Sequence, residues 1–566
     1  MIRMFALHKV RKSVELESMW EFATAEEEQM IPSAYKYKLP VPGCWESHPE
    51  LQTYRGIGWY RKRLYIDEAT GLRLEFKGIS HTADVYFDGA LIAQHYNAYT
   101  PFSTVLPFVD AGEHELLIKV DNRFTEQSTL HVPNDYYTYG GMIRPVVMDF
   151  VREAFVERIW FTPMKETGGW RAEIKAKVVN LRAERGTWNV RCKLGELEYD
   201  IGQITLDARQ SGEVSTSLSF PHVQPWSDTD PNLYLLEVQL CSAATGKVID
   251  DLIERVGFRQ VEVLGDRIVL NGQKVKLKGF CRHEDHPAFG AALPVQQMVQ
   301  DMELMRELGC NAVRTSHYPN DERFLDLCDE YGMLVWEENH ARGLSLEQML
   351  KPGFREQCLD CNREMVENHY NHPSIVIWGI LNECASDTEQ GRAMYKEQLE
   401  QIRAMDASRP LSFASHLFFS DLCLDLADII SFNVYPGWYN DDVPGDLADR
   451  IKAWADEANG AGKPMIISEF GADGYYGYRS GTRVRGTEER QSDIVGKALE
   501  DFIGRDYIQG LFIWQFCDVR VTEGTGWLLT RARTMNSKGI FDEYRRPKLA
   551  AETVKHYFRN MTTCIE

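Results

Sequence analysis

IVIWGILNE (375–383) is a short apolar run that stops at a polar pair, Asn382 and Glu383. PMIISEF (464–470) has the same form and carries Glu469 near its end. Six more apolar runs share this length: KVKLKGF (274–280), AVRTSH (312–317), LVWEEN (334–339), LSFAS (411–415), IISFNVY (429–435) and LFIWQF (511–516). Amphipathic segments of helical character separate most of them, including VQQMVQDMELMRELG (295–309), ERFLDLCDEYG (322–332) and AAETVKHYFRN (550–560). Apolar strands alternating with helices over a stretch of this size predict a (β/α)8 TIM barrel, assigned to residues 263–566.

The sequence before the barrel has a different period. In GLRLEFKG, Leu72, Leu74 and Phe76 alternate with Arg73, Glu75 and Lys77, and VYFDG (85–89) ends in an Asp-Gly hairpin signal. HELLIKV (114–120) is a further short strand, and no segment nearby has helical periodicity. Residues 1–151 are therefore expected to form a β jelly roll. WRAEIKAKVV repeats the strand period, with Ala172, Ile174, Ala176 and Val178 on one face, and YLLEVQL (234–240) follows. Residues 152–262 suit an immunoglobulin-like β-sandwich, although the Cys…Trp…Cys framework of antibody domains is absent.

Composition narrows the function. A formal charge of −21, from 63 basic and 84 acidic side chains, opposes binding to nucleic acids and to anionic membranes. The N-terminal MIRMFALHKVRKSVELES lacks the apolar core of a signal peptide, and no apolar run is long enough to span a bilayer, so a cytoplasmic protein is expected. The twelve cysteines are scattered, and the one close pair, Cys358 and Cys361, lies in helical sequence without a redox-motif context. They are expected to be free structural thiols.

Chemistry should sit where barrel strands end at their C-terminal tips. Glu383 closes the fourth strand and Glu469 the seventh, so the two carboxylates are expected to face each other across the mouth. Paired carboxylates hydrolyse glycosides: one gives a proton to the leaving oxygen, and the other attacks the anomeric carbon or activates water. A separation of ~5–5.5 Å gives retention and one of ~6.5–9.5 Å inversion. One of the pair must keep its proton and the other must be ionised, so their surroundings are expected to differ.

The chain resembles glycoside hydrolase family 2, and within it the β-glucuronidases. The likeness runs over nearly the whole length. It is carried by VPGCWES (41–47), GIGWYRK (56–62), VYFDG, DRIVLNGQKVKLKGFCRHEDH (266–286), RTSHYPND (314–321), NHPSIVIWGILNE (371–383) and MIISEFGADG (465–474). The resemblance implies that Glu383 is the general acid/base, that Glu469 is the nucleophile of a retaining reaction, and that Asn382 binds the sugar 2-hydroxyl. With those roles, Glu383 is expected to keep its proton, through apolar surroundings or the charge of Glu469, and Tyr435 to donate to an ionised Glu469. In TMNSKGIFDEYRRPK it implies that Asn536 and Lys538 hold the substrate carboxylate, assisted by Arg531 or Arg533; Arg533 is the one assigned to the site, although the register departs from relatives at that point. Asp135, in NDYYTYGG, would reach from the first domain to a sugar hydroxyl, and His317, Tyr439 and Trp514 match positions that line the pocket. No cofactor is implied, and no metal either: His283 and His286, in RHEDH, are read as buried hydrogen-bonding residues. The connection ENHARGLSLEQMLK (338–351) is short, which suggests an open site for bulky or polymeric aglycones. His340 and Arg342 lie within it, where either could reach the sugar 4-hydroxyl. The expected activity is a retaining exo-β-glucuronidase acting on small-molecule or oligosaccharide β-uronides. A β-galacturonidase or dual uronidase is the alternative, ahead of a β-galactosidase or a non-catalytic carbohydrate-binding protein. A homo-oligomer is expected from the resemblance.

Overall fold

The computed structural model describes residues 2–25, 31–524 and 526–561. Eight parallel strands close into a barrel: β1 (Leu277–Cys281), β2 (Ala312–Thr315), β3 (Leu334–Glu338), β4 (Ile375–Ile380), β5 (Leu411–Ser415), β6 (Ile430–Asn433), β7 (Met465–Phe470) and β8 (Ile508–Ile513). All eight are buried along their whole length, because helices cover the outside and side chains fill the inside. Trp336, Ile377, Ile466 and Phe512 belong to the interior cluster. Gly379 in β4 has no side chain for a packing reason: a Cβ there would lie 2.2 Å from Trp336 Nε1 and 2.8 Å from Glu338 Cβ. The helix Glu322–Tyr331 between β2 and β3 shows how the outer layer is delimited. The Asp321 side chain accepts from Arg323 N–H at its start, and Gly332 ends it in the left-handed conformation at φ 70°. No helix separates β5 from β6 among the described residues; a loop joins them.

Two antiparallel sandwiches precede the barrel. The first pairs a four-stranded sheet, which includes Thr70–Phe76 and Val146–Val151, with a six-stranded sheet, which includes Ile57–Ile66 and Gly112–Asp121. Leu72, Leu74 and Phe76 are fully buried between them. The opposite face of the same strand is not solvated as its alternating charges suggest. Arg73, Glu75 and Lys77 form ion pairs there, and Lys77 Nζ reaches Glu322 on the barrel at 2.7 Å. The Asp-Gly turn is present, with Asp88 and Gly89 at φ 49° and 78°. The second sandwich has seven strands in sheets of three and four, and Ala172, Ile174, Ala176 and Val178 face its core.

The first sandwich also presses a loop against the mouth of the barrel. Tyr99 stacks on Tyr318 at 3.8 Å between ring centroids. Arg144 donates to Glu284 at 2.8 Å and to the Pro319 carbonyl at 2.7 Å, and Thr522 N–H donates to the Asn134 carbonyl at 3.1 Å. This clamp carries Asp135 into the barrel. No described helix is long and apolar enough to cross a membrane, and the eleven described cysteines are buried and unpaired.

Candidate active site

Glu383 and Glu469 line one pocket of about 310 Å³ at the C-terminal mouth of the barrel. Asp135, Arg342, His416, Phe418, Tyr435, Tyr439, Trp514, Trp527, Arg531 and Lys538 share its wall. The tip of β4 takes an unusual path to present its acid. Leu381 and Glu383 have φ of 45° and 52°, a left-handed backbone that costs a residue with a side chain on the order of 1 kcal/mol. Neighbours hold the bend in place. Leu381 N–H donates to Asn339 Oδ1 at 3.0 Å, Glu383 N–H to the Ala414 carbonyl at 2.9 Å, and Gly343 N–H to the Asn382 carbonyl at 2.8 Å.

A continuous chain of hydrogen bonds joins the two carboxyls. Arg314, fully buried at the tip of β2, donates to Glu469 Oε1 at 2.9 Å and to Asn382 Oδ1 at 2.7 Å. Asn433, at the tip of β6, donates to Asn382 Oδ1 at 3.1 Å and to Glu383 Oε1 at 3.0 Å. Tyr435 Oη donates to Glu469 Oε2 at 2.6 Å. The chain uses the Asn382 oxygen twice and leaves its amide nitrogen buried without a partner. His317 is set in a similar way: Nδ1 lies 2.7 Å from Glu338, Nε2 is unpartnered and 3.8 Å from Glu469, and the ring stacks on Trp514.

The protons are arranged differently from the sequence expectation. Burial and the neighbouring Glu383 charge push Glu469 up to about 7, against Arg314 and Tyr435. Burial also raises Glu338 to about 7, opposed by Arg314. Burial acts on Glu383 in the same sense, but Arg342, His416 and the Asn433 amide outweigh it and hold this carboxyl below its ordinary range. Arg342 Nη2 stands 3.4 Å from Glu383 Oε2. The apolar surroundings expected for Glu383 are therefore replaced by a cation. Three carboxyls face two guanidiniums, Arg314 and Arg342, with Glu338, Glu469 and Arg314 buried and Glu383 and Arg342 half-buried, so full ionisation would leave one uncompensated negative charge. That surplus favours a proton on the cluster, and the upward shifts of Glu469 and Glu338 favour those two over Glu383 as its holders.

The other end of the pocket holds two cations, Lys538 and Arg531, each beside an acid. Lys538 Nζ lies 3.3 Å from Asp473 and within 6 Å of the Tyr435, Trp438 and Tyr439 ring centres. Arg531 forms a two-pronged pair with Asp135, at 2.9 and 2.5 Å. Three expected residues are placed differently. Arg533 is exposed, with its guanidinium 6.0 Å from the Tyr475 ring centre, because a left-handed turn at Arg533 and Thr534 directs only Arg531 into the pocket. Asn536 is fully buried and donates to Asp135 at 2.9 Å, so in the free pocket its amide supports Asp135. His340 turns away from the sugar site: its Nε2 is 2.9 Å from Tyr136 Oη, and its ring packs on His131 and Tyr99 of the first domain. Arg342 is the residue of that pair that reaches the pocket.

Sequence reading missed Arg314, one residue before the end of β2, and Glu338 and Asn433, which end β3 and β6. The strand-tip position that singled out Glu383 and Glu469 applies to them equally. Asp473 and Trp527 lie in loops after β7 and β8 and carry no such signal. His283 Nδ1 is 3.2 Å from Tyr318 Oη. Among the described residues, one group has atoms close enough to share a metal ion, Asp326, Asp329 and His372. There Asp326 already pairs with the Arg3 guanidinium at 2.9 Å.

Family models agree with this architecture along the chain. Residues 5–150 match the sugar binding domain of glycosyl hydrolases family 2, residues 154–259 that family's central segment, and residues 261–563 its TIM barrel domain. A β-galacturonidase from Eisenbergiella tayi, solved bound to galacturonate, is 47% identical, with all of both chains covered and a TM-score of 0.96. A β-D-glucuronidase from Dictyoglomus thermophilum is 25% identical over 99% of each chain, with a TM-score of 0.84. The β-glucuronidase of Streptococcus agalactiae is 27% identical over 97% of this chain and 98% of its own.

Proposed function

The chain belongs to glycosyl hydrolases family 2, and from that premise we propose that it is a retaining exo-β-uronidase with a preference for β-galacturonides. The observation that carries the uronide reading is Lys538, a buried ammonium on the pocket wall of a chain with a net charge of −21. A substrate carboxylate supplies the charge that this end of the pocket is built to receive. Two observations favour galacturonide over the glucuronide that the motifs alone suggested. The relative at 47% identity over its full length is a galacturonidase, whereas the glucuronidases stand at 24–27%. Arg342 also spans the pocket edge, donating to Asn134 Oδ1 at 2.7 Å beside Asp135, where a charged donor can separate the two epimers at the 4-hydroxyl.

In the proposed reaction, Glu469 attacks the anomeric carbon while Glu383 gives its proton to the departing oxygen. A covalent glycosyl ester forms and the aglycone leaves. Water then attacks the anomeric carbon as Glu383 takes a proton from it, the bond to Glu469 breaks, and the β-uronic acid is released with Glu469 restored as a carboxylate. The free nitrogen of Asn382 donates to the 2-hydroxyl, and this contact strengthens as positive charge develops on the ring. Tyr435 and Arg314 support the ionised Glu469. Reaction requires the cluster's proton on Glu383, so substrate must draw Arg342 away from that carboxyl.

Turnover of 4-nitrophenyl β-galacturonide, β-glucuronide and β-galactoside, compared side by side, tests the proposal. The expected order is galacturonide, then glucuronide at about tenfold lower kcat/KM, the cost of one misplaced hydroxyl contact, then galactoside. Proton NMR of the first product should show the β-anomer. A galactoside cleaved as fast as the uronides would refute the uronide reading, and an α-anomer appearing first would refute retention.

A further inference from the structure

The loop that joins β5 to β6 begins on the wall of the catalytic pocket, beside Glu383. We propose that His416 and Phe418 of this loop seat the leaving group, and that the group they select is flat and apolar, a benzylic or phenolic alcohol rather than a second sugar. The inference rests on the uronidase reading and adds the class of aglycone to it.

Strand register sets the position. Ile380 of β4 pairs with Phe413 of β5, and three residues further along each chain stand Glu383 and His416. The backbone keeps this alignment beyond the sheet, because Glu383 N–H donates to the Ala414 carbonyl at 2.9 Å. The loop is then pinned to the segment that follows Glu383. The buried Asp421 carboxylate accepts from Ser386 Oγ and Ser415 Oγ, each at 2.5 Å, and Leu422 N–H donates to the Ser386 carbonyl at 2.9 Å. Glu383, His416 and Phe418 therefore line one cavity. The oxygen that takes the Glu383 proton must lie within hydrogen-bond reach of that carboxyl. With the sugar carboxylate drawn to Lys538, the group attached to this oxygen lies on the β5 side.

The surface of the loop identifies the class. Phe418 packs part of its ring on the barrel core and lines the pocket with the rest. Phe419 is 48% exposed, and its ring meets Phe418 and Trp454 edge-on at 5.4 and 5.7 Å between centroids. Its backbone is left-handed at φ 74°, a costly conformation for a bulky side chain and one that recurs where a chain is shaped for a ligand. Leu422, in the same loop, is 40% exposed. Hydrocarbon left in water at the rim of a pocket is stabilised when an apolar ligand covers it. A second sugar, with a hydroxyl on nearly every carbon, offers little area for this and needs polar partners. The Ser415 and Ser420 hydroxyls already donate to Asp421 and to the Leu417 carbonyl. The exposed His416 imidazole is left to meet a single polar substituent.

The test uses the full chain with benzyl and methyl β-galacturonide, whose leaving alcohols are nearly equal in acidity and differ by one phenyl ring. The benzyl glycoside should have a kcat/KM roughly tenfold higher, the effect of partly burying such a ring. A disaccharide with galactose as its aglycone should stay below the benzyl glycoside, although a sugar hydroxyl is the better leaving group. Phe418→Ala should bring the benzyl-to-methyl ratio close to one, mainly through KM, and Phe418→Leu should keep part of it. Calorimetric titration with benzyl and methyl 1-thio-β-galacturonide, which resist hydrolysis, reads the same ratio without turnover. A merely structural role for Phe418 would weaken both ligands alike and leave the ratio unchanged. Equal affinity for the two thioglycosides in wild type, or the wild-type ratio retained in Phe418→Ala, would overturn the proposal. A disaccharide cleaved as fast as the benzyl glycoside would overturn the apolar class. If the uronides are neither bound nor cleaved, the uronidase reading fails, and titration with benzyl and methyl 1-thio-β-galactoside still decides whether Phe418 seats an apolar aglycone.

Discussion

At one end of the pocket Glu383, Glu469, Asn382 and Arg314 project from the tips of barrel strands and hydrogen-bond to one another. At the other end Asp135, Asp473, Arg531 and Lys538 come from loops, one of them belonging to a different domain, and are held by ion pairs. The first end takes its geometry from the barrel backbone, whose closure fixes where strand tips point. The second takes its geometry from charges that attract one another across long stretches of sequence. Damage at the strand-tip end should affect every substrate alike. Damage at the loop end should depend on the charge the substrate carries.

The largest expected effect lies at the strand-tip end. Glu469→Gln should lower turnover by about a thousandfold or more on aryl galacturonide and aryl galactoside together, because the covalent step is lost whatever the sugar. Circular dichroism should show the fold intact. A variant that kept near-normal turnover would remove Glu469 from the nucleophile role and dissolve the contrast between the two ends. Lys538→Ala is the matching test at the loop end. A charge-assisted contact is worth ~1.5–3 kcal/mol, so uronide kcat/KM should fall roughly ten- to a hundredfold, while the poor galactoside rate stays level or rises. Equal losses on charged and neutral sugars would make Lys538 structural.

The shared proton gives a test of pH. Glu469 and Glu338 are each raised to about 7, and Glu383 is held below its ordinary range. An acid raised in this way is protonated below about 7 and loses its proton above. Once the cluster's last proton is gone, nothing protonates the leaving oxygen. For substrates with poor leaving groups, kcat/KM of the free protein should therefore fall as pH rises through about 7, close to tenfold per pH unit beyond it. It should fall again on the acid side, where a second proton enters the cluster and the nucleophile Glu469 is no longer ionised. Glu383→Gln, assayed with an activated aryl uronide, removes the charge that raises Glu469 and should remove the alkaline limb. An alkaline limb unchanged in that variant would show that the proton belongs to another group.

The same contrast explains what could be read from the sequence. Eight apolar runs declare a barrel because each strand is buried on both faces, and Glu383 and Glu469 stand out because a charge ending such a run has no packing reason to be there. Arg314 and Asn433 were open to the same logic. The proton arrangement was not, since it depends on Arg342, which reaches Glu383 from the connection after β3. The alternation in Thr70–Phe76 gave the strand and left the surroundings of its charged face open, because alternation does not distinguish water from a neighbouring domain. Near Asn536 the limit was register. Two arginines two residues apart lie in a segment without periodic structure, and local sequence does not say which one turns inward.

That last point gives the smallest expected effect and the finest test of the loop end. Arg531 pairs with Asp135 through two hydrogen bonds, and the Asp135 side chain is only 4% exposed. Arg531→Ala leaves that carboxylate with the Asn536 amide as its remaining partner, so the first-domain loop should loosen at the pocket. Uronide kcat/KM should drop about tenfold, with a fall in Tm of several degrees. Arg533 lies outside the pocket wall, makes no ion pair among the described residues and occupies a left-handed turn at φ 58°. Arg533→Ala should leave uronide turnover within about twofold of wild type. Arg533→Gly should relieve the turn and raise stability by roughly 0.5 kcal/mol, a shift measurable by denaturant titration. The two alanine variants must separate for the loop end to be built as described. If Arg533→Ala lost activity as Arg531→Ala does, the turn would direct the second arginine to the sugar, and the Arg531–Asp135 pair would no longer account for how the first domain reaches the catalytic pocket.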